Sequence, residues 1–581
     1  MRGEYLKTIE IRLKIMGGFV LIIGACLFFR MFDIQILQHV HYLTMAQDQQ
    51  RFDQVQIAQR GQVLVHDSNE NNSTYYPLAM DVKSFAVWAV PNQIKDKQAV
   101  ATKLSSVLQI DSKNIFSEIN NNKMYIPPLK RGLDFDQADQ IRNEGINGVL
   151  VIPEYNRDYP EGSLASQVLG FVNGQGKGQY GVEGYYNDEL KGKDGSLVGE
   201  KDTLGRIINL LSQNNPQNGT SYVLTIDRSV QYFVEQKLAQ AIQDYQADAG
   251  SVIVMDIKTG GIVAMANYPT FDSNNYQAQA NSDPSLFMNP SIDSAFEPGS
   301  IFKPIVMSIA MDKGLVTPDT SSNFGASVNV QGYTIHTAEG KAFGNETMTQ
   351  VLENSDNVGM VWVASQMANT DLYSYIKSFG FLSRTGIDLD SEVAGNAPPL
   401  KSWQDINRAT IAFGQGIAVT PIELVSAYAA IANNGKYIYP HIVDKILYAD
   451  GTSTQINKEE GQQIVSSEVA DEMKQMLHSV VLNGTAKKAS VPGFKVSAKT
   501  GTAQIAKPGG GYEDNDTKLG IYVHSAAGFA PTDNPEYAML VKLDRPKTSK
   551  YAESTAVPLF GQISNFLLNF HYRTTPTEPI K

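Results

Sequence analysis

From Ile15 to Phe29 the chain carries no charged side chain, and Lys14 and Arg30 bracket the run. Such a segment can enter hydrocarbon only as a helix, because no other single-segment structure pairs all of its own backbone N–H and C=O groups. The run is shorter than the ~20 residues that usually span a bilayer. Leu13, Met31 and Phe32 lengthen it if Lys14 and Arg30 reach out to the headgroups. Arg2, Lys7, Arg12 and Lys14 precede the run, whereas Arg30 is the one cation between Phe29 and Gln50. That asymmetry predicts a cytoplasmic tail over 1–14, a transmembrane anchor over 15–36 and an extracytoplasmic remainder from about residue 37.

Other uses of the segment carry different signals. A cleaved signal peptide shows small residues after its apolar core, and Ile23-Gly24-Ala25-Cys26 has the look of a lipoprotein processing site with Cys26 as the lipidated residue. Leu27-Phe28-Phe29 continues the apolar stretch past Cys26, which suits an uncleaved helix better. Beyond the anchor, a chain of 581 residues is too long for one ordinary core and predicts two or more domains. A formal net charge of -12 leaves no basic footprint for nucleic acid, and that class of partner is excluded. With one cysteine and 8 histidines, neither a disulfide framework nor a Cys-rich zinc site is available, and no metal is expected.

Residues 37–215 are rich in Asn, Gln, Asp and Gly. Short strands and turns are expected there, as at Arg60-Gly61-Gln62-Val63-Leu64-Val65, with a polar loop over Asp67 to Thr74 and short helices over Thr102 to Leu108 and Asp136 to Glu144. Nothing in the region has catalytic spacing, so it reads as a spacer or docking module. From 216 to about 570 the pattern is more apolar. Ser251 to Asn267 reads as a hairpin turning at Lys258-Thr259-Gly260-Gly261. A helix follows Gly299 and stops at Gly314. Thr347 to Met367 is helical around a polar break at Asn354 to Asn357, and Pro421 to Asn433 is a further helix. Lys495 to Ala503, Leu519 to Phe529 and Tyr537 to Leu543 read as strands. A hairpin, then helices, then three strands predicts an α+β fold with an antiparallel sheet flanked by helices.

The chemistry concentrates in three places. In Ser300-Ile301-Phe302-Lys303 a serine and a lysine three apart share one helix face. Serine needs a base to act as a nucleophile. Lys303 can be that base only if burial and a nearby cation lower its affinity for a proton from the usual ~10.4. Ser355-Asp356-Asn357 lies between helical runs, where its hydroxyl and amide could relay a proton and hold a substrate amide. Lys499-Thr500-Gly501-Thr502 lies in a strand, where Gly501 permits close approach of another backbone. There the lysine would supply the second cation, and the threonines would bind a carboxylate. Each tripeptide alone has a bland reading: a capped helix with a surface lysine, a polar loop, a turn. Lys258-Thr259-Gly260 shows how weak one motif is. The ordered trio is what discriminates, and S-x-x-K, S-D-N and K-T-G together mark penicillin-binding proteins and class A β-lactamases.

Over nearly its whole length the sequence resembles a class B penicillin-binding protein, a peptidoglycan D,D-transpeptidase, and is closer to division-type than to elongation-type members. The resemblance is carried by Phe296-Glu297-Pro298-Gly299-Ser300-Ile301-Phe302-Lys303-Pro304, Asn354-Ser355-Asp356-Asn357-Val358-Gly359 and Ala498-Lys499-Thr500-Gly501-Thr502-Ala503. Phe413-Gly414-Gln415-Gly416, Gly528-Phe529-Ala530-Pro531 and, in the spacer, Arg60-Gly61, Tyr159-Pro160, Val168-Leu169-Gly170-Phe171 and Gly181-Val182-Glu183-Gly184 add to it. It implies an elongated β-rich pedestal over 37–215, a transpeptidase domain over 216–570 and a C-terminal tail over 571–581. It implies Ser300 as nucleophile, Lys303 as base, and Ser355 with Lys499 in proton transfer. Asn357, Thr500, Gly501 and Thr502 would bind a D-Ala-D-Ala stem peptide or a β-lactam. No cofactor is implied. The implied partners are a SEDS-family glycosyltransferase and divisome or elongasome membrane proteins. Two other functions compete. One is a β-lactamase or D,D-carboxypeptidase; a β-lactamase needs a carboxylate for its deacylating water, and Glu392 with Asn396 has Glu-x-x-x-Asn spacing, although Asp390 to Gly395 reads more simply as a polar loop. A β-lactam-binding sensor or scaffold would need a cytoplasmic signalling segment, for which 1–14 is short. His524, on a strand near the third motif, reads as structural.

Overall fold

The computed structural model describes residues 2–67, 74–123, 126–201, 207–338, 340–457, 460–505 and 519–573. The expected polar loop over Asp67 to Thr74 falls almost wholly outside the described residues, as does the tail beyond 573. The chain forms two compact units, Met1–Ala58 with Gly192–Asn218, and Gln59–Lys191 with Gly219–Lys581.

In the first unit the apolar run is part of one helix, Arg2–Phe32. At ~1.5 Å per residue, a helix of that length exceeds the ~30 Å hydrocarbon core of a bilayer. None of the most apolar window within Tyr5–Leu37 is buried in the protein. Each bracketing cation has a carboxylate beside it: Lys14 Nζ lies 3.0 Å from Glu10 and Arg30 Nη1 2.6 Å from Asp33. A π-helical turn, Asp33–Leu37, and a helix, His39–Gln50, follow. They lead into a three-stranded antiparallel sheet of Arg51–Gln56, Gly195–Lys201 and Ile207–Asn214.

The second unit opens on a seven-stranded mixed sheet. Its strand Val63–His66 runs parallel to Ser221–Asp227 and antiparallel to Tyr76–Ala89. The last of these has 14 residues, where the sequence predicts only short strands. It serves three partners in turn, Val63–His66, Val149–Asp158 and Lys130–Leu133. The buried face therefore changes along the strand, and no single period-2 pattern marks its length. The helix Lys97–Leu108 starts before the predicted Thr102 because Asp96 caps it, accepting from Ala99 N at 2.9 Å. Phe135–Asn143 starts after a capping box made by Asp134 and Gln137.

The chemistry is carried by a five-stranded antiparallel sheet in the order Ile262–Tyr268, Ala249–Asp256, Tyr537–Asp544, Tyr522–Ala530, Ser497–Gln504. The predicted hairpin and the three predicted strands all belong to it. Strand residues are buried on both faces, as Tyr522–Ala530 shows throughout its length. Helices Arg228–Tyr245 and Ala556–Phe566 pack on the sheet, as do the apolar Pro421–Ala432 and Ser467–Leu482. This is the α+β architecture expected from the element order.

Candidate active site

The nucleophile turn departs from the expected helix start. Gly299–Phe302 is a 3₁₀ turn, and the α-helix proper is Lys303–Asp312. Pro304 explains the difference: it has no N–H to give to the Ser300 carbonyl, so Lys303 N closes the turn onto that oxygen instead. The far end behaves as predicted. Gly314 adopts φ +68°, and Leu315 N and Gly314 N return to the Ala310 and Met311 carbonyls. Three contacts fix the turn from beneath. Gly299 N donates to Gly414 O at 2.9 Å, Gly416 N donates to Glu297 Oε1 at 3.0 Å, and Tyr428 Oη donates to Ile301 O at 2.7 Å. Tyr428 has no counterpart in the sequence reading, although a lone phenol in an apolar helix was the available signal.

Lys303 and Lys499 both have 0% exposure. Lys303 Nζ donates to Ser355 O at 2.6 Å, to Asn357 Oδ1 at 2.8 Å and to Ser355 Oγ at 3.2 Å. Lys499 Nζ donates to the same Ser355 Oγ at 2.9 Å. The hydroxyl of Ser355 thus lies between the two ammonium groups. Burial lowers the Lys303 pKa to about 7, although Asp356 and Glu346 favour its charge. Lys499 is pushed well below its usual range, first by burial and then by the charge of Lys303. Ser355 holds the left-handed conformation, φ +53°, rare for a non-glycine residue. Asp356 caps the following helix, Asn357–Ser365, accepting from Val358 N and Gly359 N, both at 2.9 Å.

On the strand Ser497–Gln504, Gly501 faces the side chain of Ser525 more closely than any backbone. A Cβ there would stand 2.3 Å from Ser525 Oγ and 3.2 Å from Pro298 O, next to the nucleophile turn. Thr500 Oγ1 lies 3.4 Å from Lys499 Nζ and 2.8 Å from Thr485 Oγ1. Thr502 Oγ1 accepts from Ala552 N at 3.1 Å, which leaves its own O–H as a donor. The amide of Asn357 donates to the backbone carbonyl of His336 at 3.0 Å. That contact, from the hairpin strand Tyr333–His336, had no signal in the sequence because it is made by backbone.

The competing features are occupied otherwise. Lys258-Thr259-Gly260 is an exposed hairpin turn, with Lys258 N and Thr259 N donating to Asp256 Oδ1. Glu392 accepts from Thr385 N and Oγ1 and from Gly386 N, so both its oxygens bind its own loop. His524 is buried between Thr555 Oγ1 and Lys550 O, and burial pushes its pKa down to about 4.

The penicillin binding protein transpeptidase domain matches residues 250–565, and the penicillin-binding protein dimerisation domain matches 56–224. The chain belongs to the penicillin-binding protein family. Stage V sporulation protein D of Bacillus subtilis (strain 168) is 31% identical over 560 residues, covering 94% of this chain and 84% of that one. Peptidoglycan D,D-transpeptidase FtsI of Escherichia coli (strain K12) is 30% identical over 512 residues, covering 87% and 82%. Among solved structures, penicillin binding protein 3 of Mycobacterium tuberculosis, complexed with aztreonam, matches with a TM-score of 0.69 at 28% identity, covering 91% of this chain and 99% of that one. The apolar N-terminal helix makes this penicillin-binding protein a membrane-anchored one.

Within this family frame the Gly414 contact gives a direct test. Gly414 has φ +79°, and a Cβ on it would lie 2.1 Å from Gly299 O. Gly414→Ala is expected to displace the Ser300 turn and slow its acylation by a penicillin about 10²-fold, read as the rate of appearance of labelled protein. Acylation within about threefold of wild type would show that the turn does not depend on this approach.

Proposed function

We propose that this protein is a peptidoglycan D,D-transpeptidase, cross-linking stem peptides through an acyl-enzyme on Ser300 at the division septum. The observation that carries the reading is the Ser355 hydroxyl held by both Lys303 and Lys499 beside the Ser300 turn. Ser300 Oγ attacks the carbonyl of the penultimate D-Ala, and its proton passes to Lys303. The backbone N–H groups of Ser300 and Thr502 receive the developing oxyanion, each such donor being worth ~10²–10³ in rate. As the C–N bond breaks, Ser355 passes a proton to the departing D-Ala amine and takes up from Lys303 the proton that Ser300 gave up. Asn357 holds the peptide amide, and Thr500 and Thr502 hold the terminal carboxylate beside Lys499, with Gly501 letting their strand lie close against the Ser300 turn. An amine from a second stem peptide then attacks the ester, and Ser300 recovers its proton. A β-lactam enters by the same route, its ring amide taking the place of the scissile bond.

The same reading assigns 1–14 to a cytoplasmic tail, 15–36 to the membrane, 37–215 to a pedestal and 216–570 to the transpeptidase domain, with 571–581 as a tail. The catalytic part lies outside the cytoplasm. A SEDS-family glycosyltransferase and divisome membrane proteins are the expected neighbours, reached through the anchor and pedestal.

The test is covalent labelling of the soluble part, residues after about 37, with a fluorescent penicillin, followed by intact mass over hours and peptide mapping. A stable adduct on the peptide that contains Ser300 is the expected result. Rapid loss of the adduct with drug turnover would replace the reading by a β-lactamase, and no adduct on folded protein would remove the transpeptidase altogether.

A further inference from the structure

Glu346 is a buried carboxyl that the mechanism above does not use. It lies on the strand Gly344–Thr347, opposite Ser322, and Thr347 caps the next helix, so its backbone is fixed on both sides. It is 3% exposed. Its Oε1 accepts from Asn354 Nδ2 at 2.6 Å, while its Oε2 is buried without a hydrogen-bond donor. The carboxyl of Asp356 lies within hydrogen-bonding reach of it. Each oxygen of Asp356 already accepts one backbone N–H, from Val358 and from Gly359, and keeps a lone pair for one further donor. Two carboxyl groups can share a buried contact only if one supplies a proton. Both oxygens of Asp356 already accept backbone N–H groups, so Asp356 is assigned as the acceptor and Glu346, whose Oε2 meets no donor, as the group that supplies the hydrogen.

We infer that Glu346 is a positioning residue that grips both flanks of Ser355 as a neutral carboxylic acid, accepting from Asn354 and donating to Asp356. Asn354 and Asp356 are the residues on either side of Ser355, whose left-handed backbone is the strained point of the site. The clamp holds the Ser355 carbonyl and hydroxyl where Lys303 meets them. The groups that face Glu346 are Asn354, Asp356, Glu353 and Lys303; those that face Lys303 are Asp356, Glu346 and Lys499. Burial, followed by the charges of Asp356 and Glu353, raises the Glu346 pKa to about 7, which agrees with a proton retained there.

The kinetic part of the test rests on the transpeptidase reading, whereas its spectroscopic part does not. Glu346→Gln preserves both contacts, with an amide that accepts from Asn354 and donates to Asp356, and Glu346→Leu removes both. At about pH 6 the glutamine variant is expected to be acylated by a penicillin within about threefold of wild type, and the leucine variant about tenfold slower or more. Above pH ~7 wild-type Glu346 loses its proton, so the glutamine variant is expected to gain on wild type as pH rises. Difference infrared spectra at about pH 6 are expected to show the carbonyl band of a protonated carboxylic acid in wild type and not in Glu346→Gln. A leucine variant as fast as wild type, a glutamine variant as slow as leucine, or the absence of that band would each overturn the inference. If wild type fails to label while the band is present, the transpeptidase reading falls and the protonated Glu346 stands.

Discussion

Lys303→Met is expected to slow acylation of Ser300 by about 10²–10⁴-fold, the range in which a positioned general base contributes. Methionine is unbranched and apolar, so it fills the fully buried slot of Lys303 without leaving a charge there. The loss should be mainly chemical, in the acylation rate constant, because the expected substrate contacts at Thr500, Gly501 and Thr502 lie on the strand Ser497–Gln504 and not on the Lys303 helix, although Asn357 also loses a donor to its Oδ1. The pH profile carries the same signature. Burial brings the Lys303 pKa down to about 7, so the neutral base prevails above that pH and is lost as pH falls through it. Wild-type acylation should therefore drop about tenfold per pH unit on the acid side, and Lys303→Met should lose that limb. Lys499 is lowered too, by burial first and by Lys303 second, so a proton on either lysine disfavours a proton on the other. Stopped-flow labelling between about pH 5 and 9 decides the matter. Acylation within about tenfold of wild type, with the acid limb intact, would assign the base to another group.

Particular residues show what could be read from the sequence. Ser300, Lys303, Ser355, Asn357, Lys499 and Thr500 were legible because each stands in a short motif whose local structure is set by its neighbours: Pro298-Gly299 before the first, Asp356 capping the second, strand residues around the third. The antiparallel sheet was legible from the hairpin and the late strands. Less legible were features that depend on distant partners. The sequence shows Pro304 as tolerated in a first turn, but the 3₁₀ turn follows from which carbonyl its missing N–H leaves over. The parallel pairing of Val63–His66 with Ser221–Asp227 joins segments far apart in the chain, and no local pattern announces it. The donation of Asn357 to the His336 carbonyl is invisible because any residue has a carbonyl. A lone Glu in a polar stretch, as Glu346 is, usually faces water, and only its burial beside Asp356 gives it meaning.

The pedestal boxes pose the converse case, residues recognised as a pattern whose physical reason lies in packing, and they support a large effect on stability. Arg60 Nη2 lies 2.6 Å from Glu183 Oε2, Arg157 Nε 2.7 Å from Glu183 Oε1, and Arg157 Nη1 3.1 Å from Asp81 Oδ1. Two guanidiniums thus meet two carboxylates, and Glu183, at 0% exposure, touches both arginines. Arg157 Nη2 is buried without an acceptor, so the cluster has none to spare. Tyr159 cannot substitute as an anion, because burial and then the charge of Glu183 hold its phenol far above its usual range. Glu183→Ala leaves two buried cations with one counter-charge, and breaking a buried pair in this way costs ~3–5 kcal/mol. At roughly 2–4 °C per kcal/mol for a large domain, the unfolding midpoint of the soluble part should fall by roughly 10 °C. Arg60 and Glu183 belong to the pedestal boxes, Arg157 and Asp81 pair with them, and none of the four contacts the lysine cluster through a hydrogen bond or ion pair described above. Well below the midpoint, the folded protein should therefore still acylate Ser300 within about threefold of wild type. A midpoint shift below roughly 2 °C would mean that water or a rearranged Asp81 neutralises the arginines at little cost. A normal midpoint with failed acylation would instead tie the cluster to the chemistry, which the separation of its contacts from Ser355 argues against.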